Sequence, residues 1–354
     1  MDLRSLGWDE IVAGRFAPYA DKRLLPARVT LEHQHIYRVQ AEADELLAVV
    51  AGHLRHRATG PQDYPAVGDW VAVRPPTPGH RAVIQAVLPR KSKFSRKVAG
   101  DEAVEQVVAA NVDTVFIVMG LDRDYSLRRV ERYLITAWDG GAAPAVVLNK
   151  ADVCEDVGAA VSEVQSVAPG VSVHAISTRC DPDLACLDPY LEPGRTVALL
   201  GSSGVGKSTI VNRLVGEEVQ RTREVRESDQ RGRHTTSHRQ LIRLPGGALL
   251  IDTPGMRELQ LWDGAAGVGA AFGDVEAFAP KCRFGDCRHD TEPGCAVKAA
   301  VDDGDLDANR LESYRQLQRE RKWLLARIDE RTAQDRKRYE KMIGKIARDF
   351  KPRE

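Results

Sequence analysis

The sequence lacks the features that mark membrane, secreted and strongly charged proteins. No apolar run in its 354 residues approaches the roughly 18 residues that a membrane span requires. Its first residues, MDLRSLGWDE, are acidic and mixed, which is not typical of a secretory signal. Six cysteines in a chain of this length do not indicate a disulfide scaffold, and three of them cluster late in the sequence. We therefore expect a cytoplasmic protein that does not bind membranes.

The formal net charge is zero, so total charge argues neither for nor against nucleic-acid binding. The charges are unevenly distributed, however. Residues 310–354 contain 15 Lys or Arg against eight Asp or Glu, and RKSKFSRK at 90–97 contains five positive residues and no negative one. Such clusters suit phosphate backbones, although for either cluster alone a solvated surface is an equal alternative. The candidate RNA contacts are Arg90, Lys91 and Lys93.

Strand and helix patterns divide the chain into three regions. Residues 27–90 contain four or five short β-branched segments separated by Gly and Pro turns, which favours a small Greek-key barrel of the oligonucleotide-binding (OB) or SH3-like type. Continuous apolar runs then alternate with helical segments, which predicts a layered α/β domain with a mostly parallel sheet. The final segment holds the cysteine cluster and polar helices. The predicted domains are an OB-like β-barrel at 1–98, an α/β domain at 99–272 and a metal-binding helical domain at 273–354.

The stretch GSSGVGKST fits the phosphate-loop pattern G-x-x-x-x-G-K-[ST], and it stands between an apolar strand and a helical segment as that motif requires. Its glycines let backbone N–H groups surround a β-phosphate, and the helix N-terminus adds partial positive charge. Lys207 is expected to bridge the β- and γ-phosphates, and the Ser208 hydroxyl to bind Mg²⁺. The predicted nucleotide contacts are Gly201, Ser202, Ser203, Gly204, Val205, Gly206, Lys207, Ser208 and Thr209.

The stretch NKAD follows the buried segment APAVVL and is typical of a guanine-reading loop. The Asp152 carboxylate can accept hydrogen bonds from guanine N1–H and from the 2-amino group, whereas adenine would leave this carboxylate unpaired. Asn149 can bond the N7/O6 side, and the Lys150 stem can cover the ring. The stretch AISTR offers a second contact through its backbone. The candidate base-binding residues are Asn149, Lys150, Ala151, Asp152, Ser177 and Thr178.

The base-reading loop precedes the phosphate loop, which reverses the order usual in GTP-binding domains. Strands of a compact parallel sheet can keep their places while the chain is reconnected, so the pocket survives such a permutation. The segment LLIDTPG then places Asp252 at a strand end, where it can hold Mg²⁺ through water, and Gly255 where its N–H can contact the γ-phosphate. A threonine of RGRHTTSH can complete the magnesium shell. The sequence alone does not choose between Thr235 and Thr236, although Thr236 is slightly favoured.

The stretch CRFGDCRHDTEPGC has the spacing C-x₄-C-x-H-x₅-C. Three thiolates and one imidazole form a closed tetrahedral zinc site without an open position for catalysis. We therefore predict one structural zinc ion. Its expected ligands are Cys282, Cys287, His289 and Cys295.

Taken in this order, the motifs NKAD, GSSGVGKST, GRHTT, DTPG and the cysteine cluster resemble the circularly permuted GTPase family of small-subunit ribosome biogenesis, the RsgA type. The resemblance covers nearly the whole chain. It implies a GTP phosphohydrolase that is stimulated by the small ribosomal subunit, binds its 16S-type rRNA and assists its late maturation. It also supports an OB-type barrel. We expect a monomer that binds GTP and GDP, with hydrolysis acting as a release switch.

One departure from ordinary GTPases concerns the catalytic water. Met256 follows DTPG, where many GTPases have a glutamine that positions the attacking water. An apolar side chain cannot orient water, and the resemblance implies His234 of GRHTT as the catalytic residue instead. Two rival functions stay open at this point, a self-contained guanine-nucleotide hydrolase and an RNA-binding module with a structural nucleotide site. Hydrolysis measured with and without small subunits separates them.

Overall fold

The computed structural model describes residues 2–98, 101–181, 183–216, 239–252, 265–323 and 325–326. The chain divides into two compact units, one of residues 1–97 and 104–260 and the other of residues 98–103 and 261–354. The barrel and the α/β sheet thus belong to the same unit. The predicted domain boundaries after residues 98 and 272 stay predictions.

The N-terminal part of the first unit is a closed five-stranded barrel. Its strand order is β1-β2-β3-β5-β4, and β4 pairs back onto β1. The parallel β3–β5 pair within otherwise antiparallel neighbours is the connectivity of an OB barrel, which decides between the two predicted barrel types. The elements are α1 (Glu10–Ala20), β1 (Leu25–His33), β2 (Ile36–Ala41), β3 (Glu45–Val50), α2 (Gly52–Arg57), β4 (Trp70–Arg74) and β5 (Ala82–Val87).

In β2 (IYRVQA), buried residues alternate with more exposed ones, and a tight turn joins this strand to β1. Gln34 and His35 both have positive φ, 49° and 63°, as a two-residue hairpin turn with the twist of the flanking strands requires. The inward residues Val29, Val39 and Ile84 are fully buried and fill the interior. The outer wall also carries buried residues, because α1 and the neighbouring sheet pack against it.

The rest of the first unit is a layered α/β domain, as predicted. Its strands continue in the order β10-β9-β8-β11-β13-β12, all parallel except β12. The carboxyl ends of the parallel strands therefore meet at one edge of the sheet. The elements are β8 (Thr114–Gly120), α3 (Leu127–Asp139), β9 (Ala143–Asn149), α4 (Val157–Val167), β10 (Val173–Ala175), β11 (Thr196–Leu200), α5 (Lys207–Val215), β12 (Arg239–Arg243) and β13 (Leu249–Asp252).

The central strands are apolar at every position because the sheet is covered on both faces. In β8, Val115, Ile117 and Met119 enter the core on one face. Phe116 and Val118 enter the core on the other face. Alternating side chains of one strand thus serve two separate cores, and this fixes the register of the strand in the middle of the domain.

Strand β1 belongs to the barrel and also extends the α/β sheet. Leu31 and Glu32 pair with Gln240 and Arg239 of β12, so eleven strands form one continuous hydrogen-bonded sheet. Barrel and α/β sheet are therefore joined by backbone hydrogen bonds as well as by side chains.

The Arg28 side chain reinforces this junction from within. It is 1% exposed and donates to the carbonyls of Leu6, Gly68 and Asn111 and to the Thr196 hydroxyl of β11. Burial lowers its pKa to about 10, while nearby aspartates oppose that shift. Since each acceptor is internal, loss of the guanidinium would leave several buried groups unpaired.

The remaining elements include a two-stranded sheet, β6 (Lys93–Val98) with β7 (Asp101–Ala110). The second unit is helical and contains α6 (Ala265–Ala271), α7 (Gly273–Glu276), α8 (Ala296–Asp302) and a helix α9 that is described over residues 308–323. Arg310 of α9 pairs with Asp274 at 2.9 Å and stacks over Phe272 at 4.2 Å. Among the helices of the described ranges, none has both the length and the apolar character that a bilayer span requires.

Candidate functional site

The phosphate-loop sequence connects β11 to α5 at the carboxyl edge of the sheet. Two of its positions require glycine, because atoms of neighbouring segments leave no room for a Cβ there. A Cβ on Gly201, where φ is 157°, would lie 2.2 Å from the Val118 carbonyl oxygen. A Cβ on Gly206, where φ is 100°, would lie 2.1 Å from the Asn149 amide nitrogen. Only glycine fits at either position, which explains two of the fixed letters of the motif.

The Lys207 side chain folds back over the loop that precedes it. Its ammonium donates to the Gly201 carbonyl at 2.7 Å and also to the Ser202 carbonyl. Lys207 is the first residue of α5, so its charge and the helix N-terminus stand at the same place. Ser208 follows in the first helical turn. This arrangement concentrates positive potential where a polyphosphate would lie.

Asn149 joins the two predicted nucleotide loops and the AISTR loop. It is fully buried at the end of β9. Its amide nitrogen donates to the Val205 carbonyl of the phosphate loop at 2.8 Å, and its oxygen accepts from the Thr178 N–H at 3.0 Å. Three segments that are distant in sequence thus meet at one side chain, as a single pocket requires.

The guanine-reading aspartate is held in place by the AISTR loop. The Ser177 hydroxyl donates to one carboxylate oxygen of Asp152 at 2.6 Å. Asp152 is exposed, so its carboxylate can also receive donors from a ligand. The Ala151 N–H donates to the Ile176 carbonyl at 3.1 Å, which fixes the two loops side by side.

Asp122 was not predicted as a site residue, yet it orders the lysine of NKAD. The Lys150 ammonium lies 2.6 Å from the Asp122 carboxylate, and Lys150 has a φ of 66°. Partial burial would raise the Asp122 pKa, but the hydrogen bonds from Lys150 and from the Asp124 N–H, together with the Lys150 charge, outweigh it, and the pKa lies below its usual value. Asp122 lies two residues after the end of the buried strand β8, and its position in the sequence does not by itself indicate the pairing with Lys150.

The magnesium-binding residues are described only in part. Asp252 ends β13, and β13 pairs with β11 next to the phosphate loop. Asp252 is thus the last residue of β13, and Ser208 lies in the first turn of α5, the helix after β11; hydroxyl and carboxylate oxygens are hard ligands that suit Mg²⁺. The predicted residues His234, Thr235, Thr236, Gly255 and Met256 lie outside the described residues.

The four predicted metal ligands converge within the second unit. The ligand atoms of Cys282, Cys287, His289 and Cys295 all lie within 4.8 Å of one another. The Cys282 and Cys295 sulfurs are 3.9 Å apart, and they lie 3.6 and 3.4 Å from His289 Nδ1. A tetrahedral zinc ion needs about 3.8 Å between two thiolates and about 3.5 Å between thiolate and imidazole. The group can therefore hold one zinc ion.

The local backbone supports this metal site electrostatically. Burial raises the Cys282 pKa, but backbone N–H groups of Val297 and Ala296 donate to its sulfur, and the net shift is downward. These two amides belong to the first turn of α8, which begins directly after Cys295. At Cys282 the fold thus favours the thiolate, which is the form that binds metal, whereas burial raises the Cys287 pKa to about 11.

The predicted RNA contacts differ in how much of each side chain is free. The Arg90 guanidinium makes two bonds to the fully buried Asp69 and two to the carbonyls of Gln62 and Tyr64, and its side chain is only 16% exposed. Lys91 pairs with Asp113, and Lys93 pairs with Glu105 while remaining 52% exposed. The structure thus places Arg90 inside the barrel framework and the two lysines at the surface. RNA binding by all three residues stays a prediction.

Comparison with known proteins agrees with this geometry. A family described as "RsgA GTPase" matches residues 87–262. The small ribosomal subunit biogenesis GTPase RsgA of Opitutus terrae is 49% identical over 99% of this chain and 98% of its own length. The structure of YjeQ from Thermotoga maritima superposes with a TM-score of 0.63 at 26% identity, covering 84% of this chain and 98% of that one. The fold is also that of YloQ, described as a circularly permuted GTPase, with a TM-score of 0.61 at 23% identity over 86% of this chain and 97% of that one. The protein therefore belongs to the RsgA GTPase family.

Proposed function

We propose that the protein is a GTP phosphohydrolase that binds the small ribosomal subunit, assists its late maturation, and leaves when hydrolysis is stimulated by the subunit. The observation that carries the nucleotide part is the junction at Asn149, where phosphate loop, NKAD and AISTR meet. The subunit part is supported by the printed name of the Opitutus terrae relative, which matches along nearly the whole chain.

In the proposed complex, each loop binds a different part of GTP. Asp152 accepts from the guanine N1–H and 2-amino group, while the backbone of Ser177 and Thr178 donates to O6. The Lys150 stem, ordered by Asp122, covers the base. The amides of the phosphate loop surround the β-phosphate, and Lys207 exchanges its internal carbonyl acceptors for phosphate oxygens.

The metal and the water are assigned to the second half of the site. Ser208, Thr236 and Asp252 would hold Mg²⁺, and the Gly255 N–H would contact the γ-phosphate. The metal supplies positive charge that stabilises the developing negative charge on the phosphate oxygens. His234 orients the attacking water, since Met256 cannot.

The flanking parts are assigned structural and RNA-binding roles. One zinc ion on Cys282, Cys287, His289 and Cys295 stabilises the second unit, because four protein ligands leave no position open for substrate. The barrel and the basic C-terminal residues contact 16S-type rRNA mainly through phosphates. The protein acts as a monomer in the cytoplasm.

Co-sedimentation with purified ribosomal subunits tests this function. The protein with a non-hydrolysable GTP analogue should pellet with small but not with large subunits, and GDP should weaken that association. GTP hydrolysis should rise when small subunits are added. Equal binding to both subunits, or a hydrolysis rate that small subunits leave unchanged, would contradict the proposal.

A further inference from the structure

Arg213 connects the helix of the phosphate loop to the loop that faces the guanine base. It lies on α5, six residues after Lys207 and thus about 9 Å along the helix axis. Its guanidinium donates to the Thr178 carbonyl at 2.6 Å and to the Asp181 carbonyl. No sequence motif marks this residue, because the phosphate-loop pattern ends before it.

The loop that Arg213 holds, residues 177–181, is also the loop that orients the guanine-reading carboxylate. The Asp181 carboxylate accepts the Ser177 N–H, and the Ser177 hydroxyl donates to Asp152 at 2.6 Å. The Thr178 N–H donates to Asn149 at 3.0 Å. A continuous set of hydrogen bonds therefore runs from Arg213 through this loop to Asn149 and Asp152 of the base-reading motif.

We propose that Arg213 is a positioning residue for guanine selection, which fixes loop 177–181 so that Asp152 faces the base edge. The inference rests on the proposed nucleotide site. Bonds from a guanidinium are charge-assisted, and its planar fork can hold two carbonyls at a fixed separation. Loop 177–181 contains no regular strand or helix; its Ser177 carbonyl accepts from backbone amides of the loop, whereas the Thr178 and Asp181 carbonyls accept from Arg213.

If Arg213 has this role, its loss should reduce discrimination between guanine and hypoxanthine nucleotides. Hypoxanthine, the base of IDP, has the O6 and N1–H of guanine but lacks the 2-amino group that donates to Asp152. If loop 177–181 loosens, Asp152 loses its orientation, and the contact with the 2-amino group weakens in GDP while IDP has no such contact to lose. Loss of Arg213 should therefore reduce GDP affinity more than IDP affinity. A purely structural role would lower both affinities alike.

The experiment measures displacement of a fluorescent GDP analogue by GDP and by IDP, using the full-length protein. Arg213→Ala should weaken GDP binding about tenfold and narrow the GDP/IDP affinity ratio by at least about fivefold. Arg213→Lys should give an intermediate ratio, because a lysine ammonium can reach one carbonyl but cannot bridge two. Arg179→Ala, which removes an exposed arginine of the same loop, is the matched control and should leave the ratio unchanged.

A wild-type GDP/IDP ratio in Arg213→Ala would overturn the inference. If that variant does not fold, Arg213→Lys decides, and a wild-type ratio there would have the same meaning. Asp152→Asn separates this failure from failure of the site itself. If Asp152→Asn also keeps the wild-type ratio, the assignment of the guanine site is wrong, whereas a narrowed ratio in Asp152→Asn alone removes only Arg213.

Discussion

Arg239 and Glu32 form an ion pair at 3.0 Å. The pair joins β12 of the α/β sheet to β1 of the barrel. The two residues also face each other in the β1–β12 register. Their side chains are 13% and 19% exposed, and the other terminal nitrogen of Arg239 donates to Gln106 at 3.2 Å. Arg239 directly follows RGRHTTSH, the stretch with the predicted magnesium-binding threonine, so the ion pair attaches the chain to the barrel where that stretch ends.

Glu32→Gln should destabilise the first unit, because it leaves the largely buried guanidinium of Arg239 without a full counter-charge. We expect a loss of about 2 kcal/mol in the free energy of unfolding, measured by urea denaturation. The matched control is Glu45→Gln, whose partner Arg38 lies 3.7 Å away in a pair that is about half exposed. That change should cost well under about 1 kcal/mol. Equal losses in the two variants would show that burial of the Glu32 pair has no energetic weight.

Asp152→Asn should change the preferred nucleotide from GTP toward XTP. The amide can donate to the C2 oxygen of xanthine, whereas it offers the guanine 2-amino group a weaker acceptor. Competition binding of GTP and XTP measures the ratio, and Glu155→Gln, an exposed neighbour, is the control. An unchanged GTP/XTP ratio in Asp152→Asn would remove this residue from base recognition.

Cys287→Ser should abolish metal binding and loosen the second unit while GTP binding persists. Three ligands cannot close a tetrahedral site as four do, and the nucleotide residues belong to the other unit. Metal analysis should find one zinc per wild-type chain, and limited proteolysis should cut the variant after residue 260 first. Cys186→Ser, an exposed cysteine outside the cluster, should keep the metal. Well under one zinc per wild-type chain would contradict the assignment.

Lys91→Gln with Lys93→Gln should weaken binding to small subunits and flatten its salt dependence. Each lost phosphate contact lowers the slope of log affinity against log salt by roughly 0.9 on a duplex, so the pair should lower it by about 1.8. Arg90→Gln should act differently, since it leaves the buried Asp69 carboxylate without its counter-charge and should cost about 3 kcal/mol of stability. A salt slope that the double lysine variant leaves unchanged would indicate a solvated cluster.

His234→Ala should keep GTP affinity and subunit binding but lose most of the stimulated hydrolysis rate. The imidazole is expected to accept a hydrogen bond from the attacking water when the subunit is bound. Single-turnover hydrolysis with saturating small subunits measures the effect, and the variant should stay bound to the subunit longer. A rate within about twofold of wild type, which is well under 1 kcal/mol of barrier, would remove His234 from the mechanism.

The sequence was sufficient for the parts of the fold that depend on local pattern. Doubly buried strands such as β8 are continuous apolar runs, and the phosphate loop needs glycine at Gly201 and Gly206 because backbone and side chain approach there. The predicted zinc ligands are so close in sequence that their spacing alone indicates that they lie together in the fold.

Contacts between segments that are far apart along the chain could not be predicted from the sequence. Arg90 belongs to a basic run and looks like a surface residue, but its partner Asp69 lies in a different part of the barrel and buries it. The choice of OB over SH3-like connectivity depends on the parallel β3–β5 pair, which no periodicity reveals. Arg213 and Asp122 act through loops that only the folded sheet brings near them.

The permuted strand order also constrains how a new chain is completed during translation. Strand β11 fits between β8 and β13, yet roughly 75 residues separate the end of β8 from the start of β11. Synthesis from the N-terminus lets the barrel close first and lets β8, β9 and β10 pair next. Synthesis of the chain between β8 and β11 takes about 4 to 15 seconds at ordinary elongation rates. During this time the apolar edge of β8 that later pairs with β11 has no partner strand. A nascent chain is therefore most prone to wrong strand pairing during this interval. The interval ends when β11 is made, and the phosphate loop that follows β11 also completes the nucleotide pocket.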